Sequence, residues 1–297
     1  MDEPIFISDA DLRAKANQYH IKPFEKLELK DDFMFGQVIQ YPDFAKALIE
    51  SIIGHRIGRV LYVNEQETIK DDYRGKGVRL DSYIRTESGN VYDIDVQNDN
   101  NDDIPKRIRI YHNVIGRKLL KTGEKYSAAK DSYVIFICDF DVFGFGDMIY
   151  ELALFDCNHM HRVDNGEHSF VVNIRHTNHE QAAKNPELAA LLAYMKDKDN
   201  CDEKFALVRA ASTYVDEIKK NHSKELDYML ESVKSALHDE KIIAKSREEG
   251  KSEGELIYAK RLQRLTEKLH ELGNIDEIVE AATNPETAKK LFVKYGI

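Results

Sequence analysis

Two short segments with alternating side chains, joined by a tight-turn sequence, constrain the fold of this chain most strongly. The segments are Val78–Arg85 and Val91–Gln97, and Glu87-Ser88-Gly89-Asn90 lies between them. Such turn residues between two alternating runs are typical of a hairpin. The sequence therefore predicts two antiparallel strands over residues 78–97.

The second strand carries polar residues on one face and apolar residues on the other, because successive side chains alternate. One face holds Val91, Asp93, Asp95 and Gln97, and the other, which we interpret as the core face, holds Tyr92, Ile94 and Val96. On the first strand, Asp81 falls opposite Asp95, which would separate their Cβ atoms by about 5 Å. Two carboxylates placed so repel each other unless a cation lies between them, and Mg²⁺ binds one or two carboxylates plus water and phosphate oxygens. The alternative interpretation is an ordinary solvent-exposed sheet face.

The segment after the hairpin predicts an amphipathic helix from about Pro105 to Lys121, with a marked positive charge. Its apolar stripe consists of Ile104, Ile108, Tyr111, Ile115 and Leu119. Residues Ile104–Lys130 include eight basic residues and one acid, a local charge of +7 in a chain of net charge −10. If the stripe packs on the sheet, the basic side chains face outward beside the acidic hairpin, where they could contact DNA phosphates. The predicted DNA-binding residues are Lys106, Arg107, Arg109, Arg117, Lys118 and Lys121. An ordinary solvated helix face is the alternative.

The order of predicted elements divides the chain into an α/β core of mixed α+β type and a helical second half. Residues 1–30 form a lead-in, 31–180 the core, 181–238 a helical extension and 239–297 a charged linker followed by a small helical region. The core elements are a helix at Asp31–Ile53, which Pro42 can kink or break, strands at Ile57–Ile69, Val134–Phe140, Tyr150–Phe155 and Phe170–Ile174, and the hairpin and helix above. Asp239–Glu255 is highly charged and is expected to form a solvated linker or a surface helix.

The composition argues against several other classes of protein. Hydrophobic residues make up 42% and charged residues 32%, and no apolar run is long enough to span a bilayer. The N-terminal residues Met1–Asp11 do not resemble a signal peptide, so we expect a cytoplasmic protein with no membrane partner. The three cysteines form no CxxC pair, which argues against a cysteine zinc site.

Taken together, these motifs resemble the PD-(D/E)XK nuclease superfamily, and more closely its transposase-associated branch of recombination-promoting nucleases. Leu29–Phe35 resembles the opening helix of that branch, and Tyr92–Gln97 resembles its strand motif, in which glutamine replaces the usual lysine. Arg109–His112 and Gly123–Tyr126 resemble the next helix and turn, and Glu248–Glu255 is similar to the charged tail.

The resemblance implies a restriction-endonuclease-like core, a mixed sheet flanked by helices, and a Mg²⁺-dependent endodeoxyribonuclease of recombination or transposition in which Mn²⁺ can substitute. It implies that Asp81 and Asp95 are metal ligands, that Asp32 is a further acidic ligand, and that Gln97 replaces the catalytic lysine. Because glutamine carries no charge, Arg79 or Lys106 would have to supply the positive charge at the transition state.

Two other functions remain open from the sequence. The first is a catalytically degenerate member that binds DNA or a protein partner without cleavage. The second is an interaction protein that acts through residues 186–297, and the same helical C-terminal region is where we would expect a homo-oligomer to form.

Overall fold

The structure is a computed structural model that describes residues 8–69, 78–101, 103–120 and 123–297, without the side chains of residues 62, 64–69, 78–81 and 249. The helices of this described part are α1 (Asp9–Gln18), α2 (Asp32–Val38), α3 (Pro42–Ile53), α4 (Ile104–Leu119), α5 (His179–Lys184), α6 (Pro186–Lys196), α7 (Ala206–Lys219), α8 (His222–Glu271), α9 (Ile275–Thr283) and α10 (Pro285–Tyr295). The strands are β1 (Val60–Ile69), β2 (Val78–Thr86), β3 (Val91–Gln97), β4 (Ser132–Cys138), β5 (Ile149–Leu152), β6 (Leu154–Asp156), β7 (His161–Val163) and β8 (Glu167–Asn173).

The chain divides into two compact units. Residues 22–228 form the central unit, and residues 8–21 with 229–297 are the described part of the terminal unit. The domain boundaries expected near residues 30, 180 and 238 came from sequence pattern rather than from compactness, and they stay predictions.

Six strands of the central unit, counted within its described residues, form one mixed sheet in the order β1-β2-β3-β4-β8-β5. The β3–β4 and β4–β8 pairs are parallel, and the remaining pairs are antiparallel. The predicted hairpin is confirmed, because Tyr83 pairs with Asp93 and Arg85 with Val91. Its turn contains Gly89 at φ 88°, a conformation that glycine adopts without strain. A mixed sheet flanked by helices confirms the predicted fold class.

Both faces of β3 are buried. The expectation that only the face with Tyr92, Ile94 and Val96 lies in a core is therefore wrong. On the face that holds Val91, Asp93 and Asp95, helix α4 packs against a cluster that includes Val91, Val134 and Phe136. The helix contributes Ile104, Ile108, Tyr111 and Ile115, so four residues of the predicted stripe are buried, while Leu119 is partly buried. Asp93 and Asp95 share that face and have no exposed surface, so the interpretation as a solvent-exposed sheet face is wrong.

Two helical segments differ from the simplest expectation. The predicted helix at 31–53 breaks into α2 and α3, because Tyr41 is extended and Pro42 opens the second helix. Residues 239–255 lie inside the 50-residue helix α8 and their described side chains are exposed. This segment is therefore a surface helix, and its role as a linker stays a prediction.

The terminal unit has its own small core. Leu265 and Leu269 of α8 pack with Ala281 of α9 and with Leu291 and Phe292 of α10. Among the described helices, none combines the length and the apolar character that crossing a membrane requires.

Candidate active site

The candidate site is built around Asp95, whose carboxylate is fully buried in the middle of the sheet. Backbone pairing fixes its position, because Asp95 lies beside Phe136 of the parallel strand β4. Its Oδ2 accepts hydrogen bonds from Arg107 Nη2 at 2.6 Å and from Tyr111 OH at 2.9 Å, and its Oδ1 accepts one from Gln97 Nε2. A buried carboxylate needs such donors, since an unpaired buried charge is very costly.

Arg107 connects the members of this network. Its Nη1 donates to Gln97 Oε1, and its Nη2 also donates to Tyr111 OH at 2.8 Å. The guanidinium carbon lies 5.0 Å from the ring centroid of Phe136. Arg107 therefore faces β3, with 24% of its side chain exposed, rather than pointing outward from the helix as the sequence analysis expected.

Electrostatics keep Tyr111 protonated and Arg107 charged at neutral pH. Burial and the neighbouring Asp95 carboxylate raise the pKa of Tyr111 far above its ordinary value, so its hydroxyl stays a donor. Burial lowers the pKa of Arg107, but Asp95 and Tyr111 outweigh it and the net shift is upward.

Asp32, the first residue of α2, lies at the same end of β3. It is exposed, yet loss of hydration, together with the carboxylates of Asp95 and Asp31, raises its pKa to about 6. The segment before α2 is tied to this end of the sheet, because Asn98 Nδ2 donates to the Lys30 carbonyl at 3.0 Å.

A second charged group, which the sequence analysis did not identify, lies at the edge where β3 and β4 end. Asp139 follows β4 directly, and its amide donates to the Gln97 carbonyl at 2.9 Å. Its carboxylate accepts from Arg175 Nε at 2.6 Å and Nη2 at 2.9 Å, and Lys30 Nζ lies 3.8 Å away. An acid directly after a buried parallel strand was the available signal, because parallel strands end at a common edge of the sheet.

The other predicted site residues fall into two groups. The side chains of Asp81 and Arg79, and the whole of Lys121, lie outside the described residues. If the β2–β3 register continues unchanged for two residues, position 81 lies opposite Asp95. The exposed basic residues of α4 are Lys106, Arg109, Arg117 and Lys118.

The oxygen donors at this end of the sheet fit a hard divalent cation in their chemistry. They are the carboxylates of Asp95 and Asp32 and the amide oxygen of Gln97, which are ligands of the kind that Mg²⁺ prefers. Loss of hydration and then repulsion by the Asp95 carboxylate raise the pKa of Asp32, and such a cation would relieve the repulsion. Within the described residues, which exclude the Asp81 side chain, no three His, Cys, Asp or Glu side chains are grouped to hold a metal.

The fold and the site together define a class: a nuclease-like α/β protein with an acidic centre at the end of a central strand. The sequence model of the PD-(D/E)XK nuclease family transposases matches residues 33–255. The chain belongs to this family, which confirms the resemblance and makes it a nuclease-fold protein linked to transposition. A search of curated proteins and a search of solved structures each found no match.

Proposed function

We propose that this protein is a metal-dependent DNA endonuclease that hydrolyses phosphodiester bonds during recombination or transposition. The observation that carries the proposal is the buried carboxylate of Asp95, surrounded by donors and electrostatically coupled to Asp32. Replacing a buried ion pair by well-packed apolar residues is often neutral or stabilising, so a functional role accounts for this buried charge better than stability does.

Asp81, Asp95 and Asp32 would hold the cation, for which we propose Mg²⁺ with Mn²⁺ as a substitute. When bound, such an ion polarises the scissile phosphate and lowers the pKa of an attacking water. Tyr111 keeps the Asp95 carboxylate in one orientation through its hydrogen bond to Oδ2. These residues thus present oxygen ligands from a rigid strand and from the start of a helix.

Gln97 has a defined orientation in the network. Its Nε2 donates to Asp95 Oδ1 and to the Val96 carbonyl at 2.8 Å, and its Oε1 accepts from Arg107. We propose that this amide orients the attacking water or a phosphate oxygen, because it can donate and accept but carries no charge. The exposed basic residues of α4 would bind the DNA backbone, and Lys121 remains part of that prediction.

One observation favours the second candidate, a degenerate member that binds DNA without cutting it. Both oxygens of Asp95 are already engaged, by Arg107, Tyr111 and Gln97. If these three side chains never left the Asp95 carboxylate, it could not bind a metal ion. The two candidates therefore differ in whether a cation can reach Asp95.

Nicking of supercoiled plasmid DNA separates the candidates. The wild type should nick with Mg²⁺ and not with EDTA, and Asp95→Asn should be slower by a factor of about 100 or more, because a transition-state contact is lost. Asp227→Asn, an equal charge change at an exposed position of α8, should nick like the wild type.

Melting curves on the same preparations establish that Asp95→Asn is folded. A folded Asp95→Asn protein that nicks at the wild-type rate would remove this site from the mechanism. A wild type that binds DNA but never nicks would favour the degenerate candidate.

A further inference from the structure

Arg107 occupies the place at Asp95 where a cation would otherwise be needed. Its guanidinium bonds directly to Oδ2 at 2.6 Å, and its second terminal nitrogen bonds to Gln97, the residue at the lysine position of the family motif. This arginine thus touches two of the residues to which we assign the reaction. The sequence analysis had looked to Arg79 or Lys106 for that charge.

We propose that Arg107 and the divalent cation exchange at Asp95: the arginine holds the carboxylate and Gln97 in the metal-free protein, and metal binding releases it to a DNA phosphate. This inference rests on the proposed function, since it concerns the same site. It makes Arg107 a positioning residue in the absence of metal and a phosphate-binding residue in its presence.

The surroundings of Arg107 allow such an exchange. About a quarter of its side chain is exposed (24%), so the guanidinium has a path to solvent, whereas Asp95 itself has none. Tyr111 is a neutral donor to the same oxygen and can stay in place when the charged group leaves. Lys106 and Arg109 are exposed on either side of it along α4, so a released guanidinium would join a basic surface.

Charge explains why the two cations exclude each other. A guanidinium and a divalent ion at one carboxylate repel each other strongly, because the effective dielectric there is well below that of water. Removing the arginine leaves a buried carboxylate without its cation, which a metal ion can then compensate. The metal affinity of the protein without DNA should therefore increase when Arg107 is replaced.

Calorimetric titration with Mn²⁺, in the absence of DNA, measures this directly. Arg107→Gln should bind Mn²⁺ about 10-fold more tightly than the wild type, a change of about 1.4 kcal/mol. Arg264→Gln, the same charge change at an exposed position of α8, should bind Mn²⁺ like the wild type. If the wild type binds Mn²⁺ and Arg107→Gln binds it equally or more weakly, the exchange is overturned and the proposed function is not. A wild type that binds no metal would overturn the proposed function and the exchange with it.

A measurement on the wild type covers the case in which Arg107→Gln does not fold. The side-chain Nε–H signal of Arg107, assigned through the backbone by NMR, should shift when Ca²⁺ saturates the protein. Loss of the bonds to Asp95 and Gln97 is the cause of this shift. An unchanged signal at saturating Ca²⁺ would overturn the exchange.

The release to phosphate has its own readout in DNA binding. With Ca²⁺, Arg107→Gln should lower the salt dependence of duplex binding by about 0.9, the value of one phosphate contact. With EDTA the substitution should leave the slope unchanged, because Asp95 holds the arginine. An equal loss under both conditions would show that Arg107 contacts DNA without leaving Asp95.

Discussion

Single residues decide how a charge can lie inside this sheet. The Asp95 carboxylate is fully buried, and it accepts one bond from a cation, one from a phenol and one from an amide. Each donor replaces part of the hydration that the carboxylate loses on folding. The role of each donor can therefore be tested separately.

Removal of the phenol hydroxyl tests the neutral donor. Tyr111→Phe keeps the ring that packs against Phe136 and deletes the hydroxyl, which donates to Asp95 Oδ2 and accepts from Arg107 Nη2. We expect a loss of about 1–3 kcal/mol in the free energy of unfolding, because a buried acceptor loses a partner. Urea unfolding measures it, with Tyr126→Phe as the control, since Tyr126 is 91% exposed. Equal stability of Tyr111→Phe and the wild type would contradict this view of the network.

Strand alternation, which depends only on local backbone geometry, was enough to place Asp95 and Gln97 on one face of a strand. Their roles in the site stay predictions, and the sequence indicated neither Asp139 nor the contact of Arg107 with Asp95. Arg107 was expected outside because, at 100° per residue, it lies about 80° from the centre of the apolar stripe of α4. Which flanking residues turn inward depends on the strand that the helix meets, and the sequence does not contain that information in any local pattern.

At the scale of elements, a buried histidine joins α4 to the sheet. His112 is 3% exposed, and its two ring nitrogens lie 2.8 Å from the hydroxyls of Ser132 on β4 and Ser169 on β8. A neutral imidazole can donate through one nitrogen and accept through the other. Burial and the nearby His168 lower the pKa of His112 to about 4. The helix is therefore attached to two strands by a group that must stay neutral.

The pH dependence of stability follows from that shift. Because the folded-state pKa of His112 lies below its unfolded value of about 6.5, its contribution is complete above pH 6.5 and is lost as the pH falls towards 4. The full loss would be about 3 kcal/mol. Thermal melting of the wild type and His112→Asn between pH 7 and pH 4 should show curves that converge on acidification. Parallel curves would contradict the assignment, and His55→Asn, at an exposed position, should follow the wild type throughout.

The ends of strands and helices could be predicted where turn residues or a change in the apolar pattern mark them in the sequence. The bounds of β3 are those predicted, because turn residues and a polar segment enclose the alternating run. The continuity of α8 was not predicted, since residues 239–255 have no apolar stripe to mark a helix face. Their many glutamates, lysines and arginines are strong helix formers, so they continue a helix without a core.

At the scale of the whole molecule, charge is distributed unevenly. The chain has a net charge of −10, yet α4 exposes a group of basic side chains, and we propose that DNA binds there. Counterion release from the DNA should dominate the binding energy. Affinity should therefore depend on salt and on these few residues rather than on net charge.

A paired substitution tests this surface. Lys106→Ala with Arg109→Ala should weaken binding to all duplex sequences alike and lower the salt slope by about 1.8, since each phosphate contact contributes about 0.9. Fluorescence anisotropy over a salt series measures both. Lys260→Ala with Arg264→Ala, an equal charge change at exposed positions of α8, should leave the slope unchanged. Equal slopes for the two double variants would place the DNA elsewhere.

The helical C-terminal region has no assigned role in this account. Its core of α8, α9 and α10 is small and belongs to the terminal unit. Self-association through this region and an interaction function for residues 186–297 both stay predictions, and a partner recruited by the full chain but not by a chain lacking α9 and α10 would support the second.

Anomalous X-ray diffraction from crystals containing Mn²⁺ tests the central claim most directly. We expect a Mn²⁺ peak within bonding distance of an Asp95 carboxylate oxygen, with Asp81 and Asp32 as further ligands and with the Arg107 guanidinium moved away from Oδ2. The contradicting result is Arg107 still bonded to Asp95, with no peak there, in crystals of a protein that nicks DNA in the same Mn²⁺ concentration.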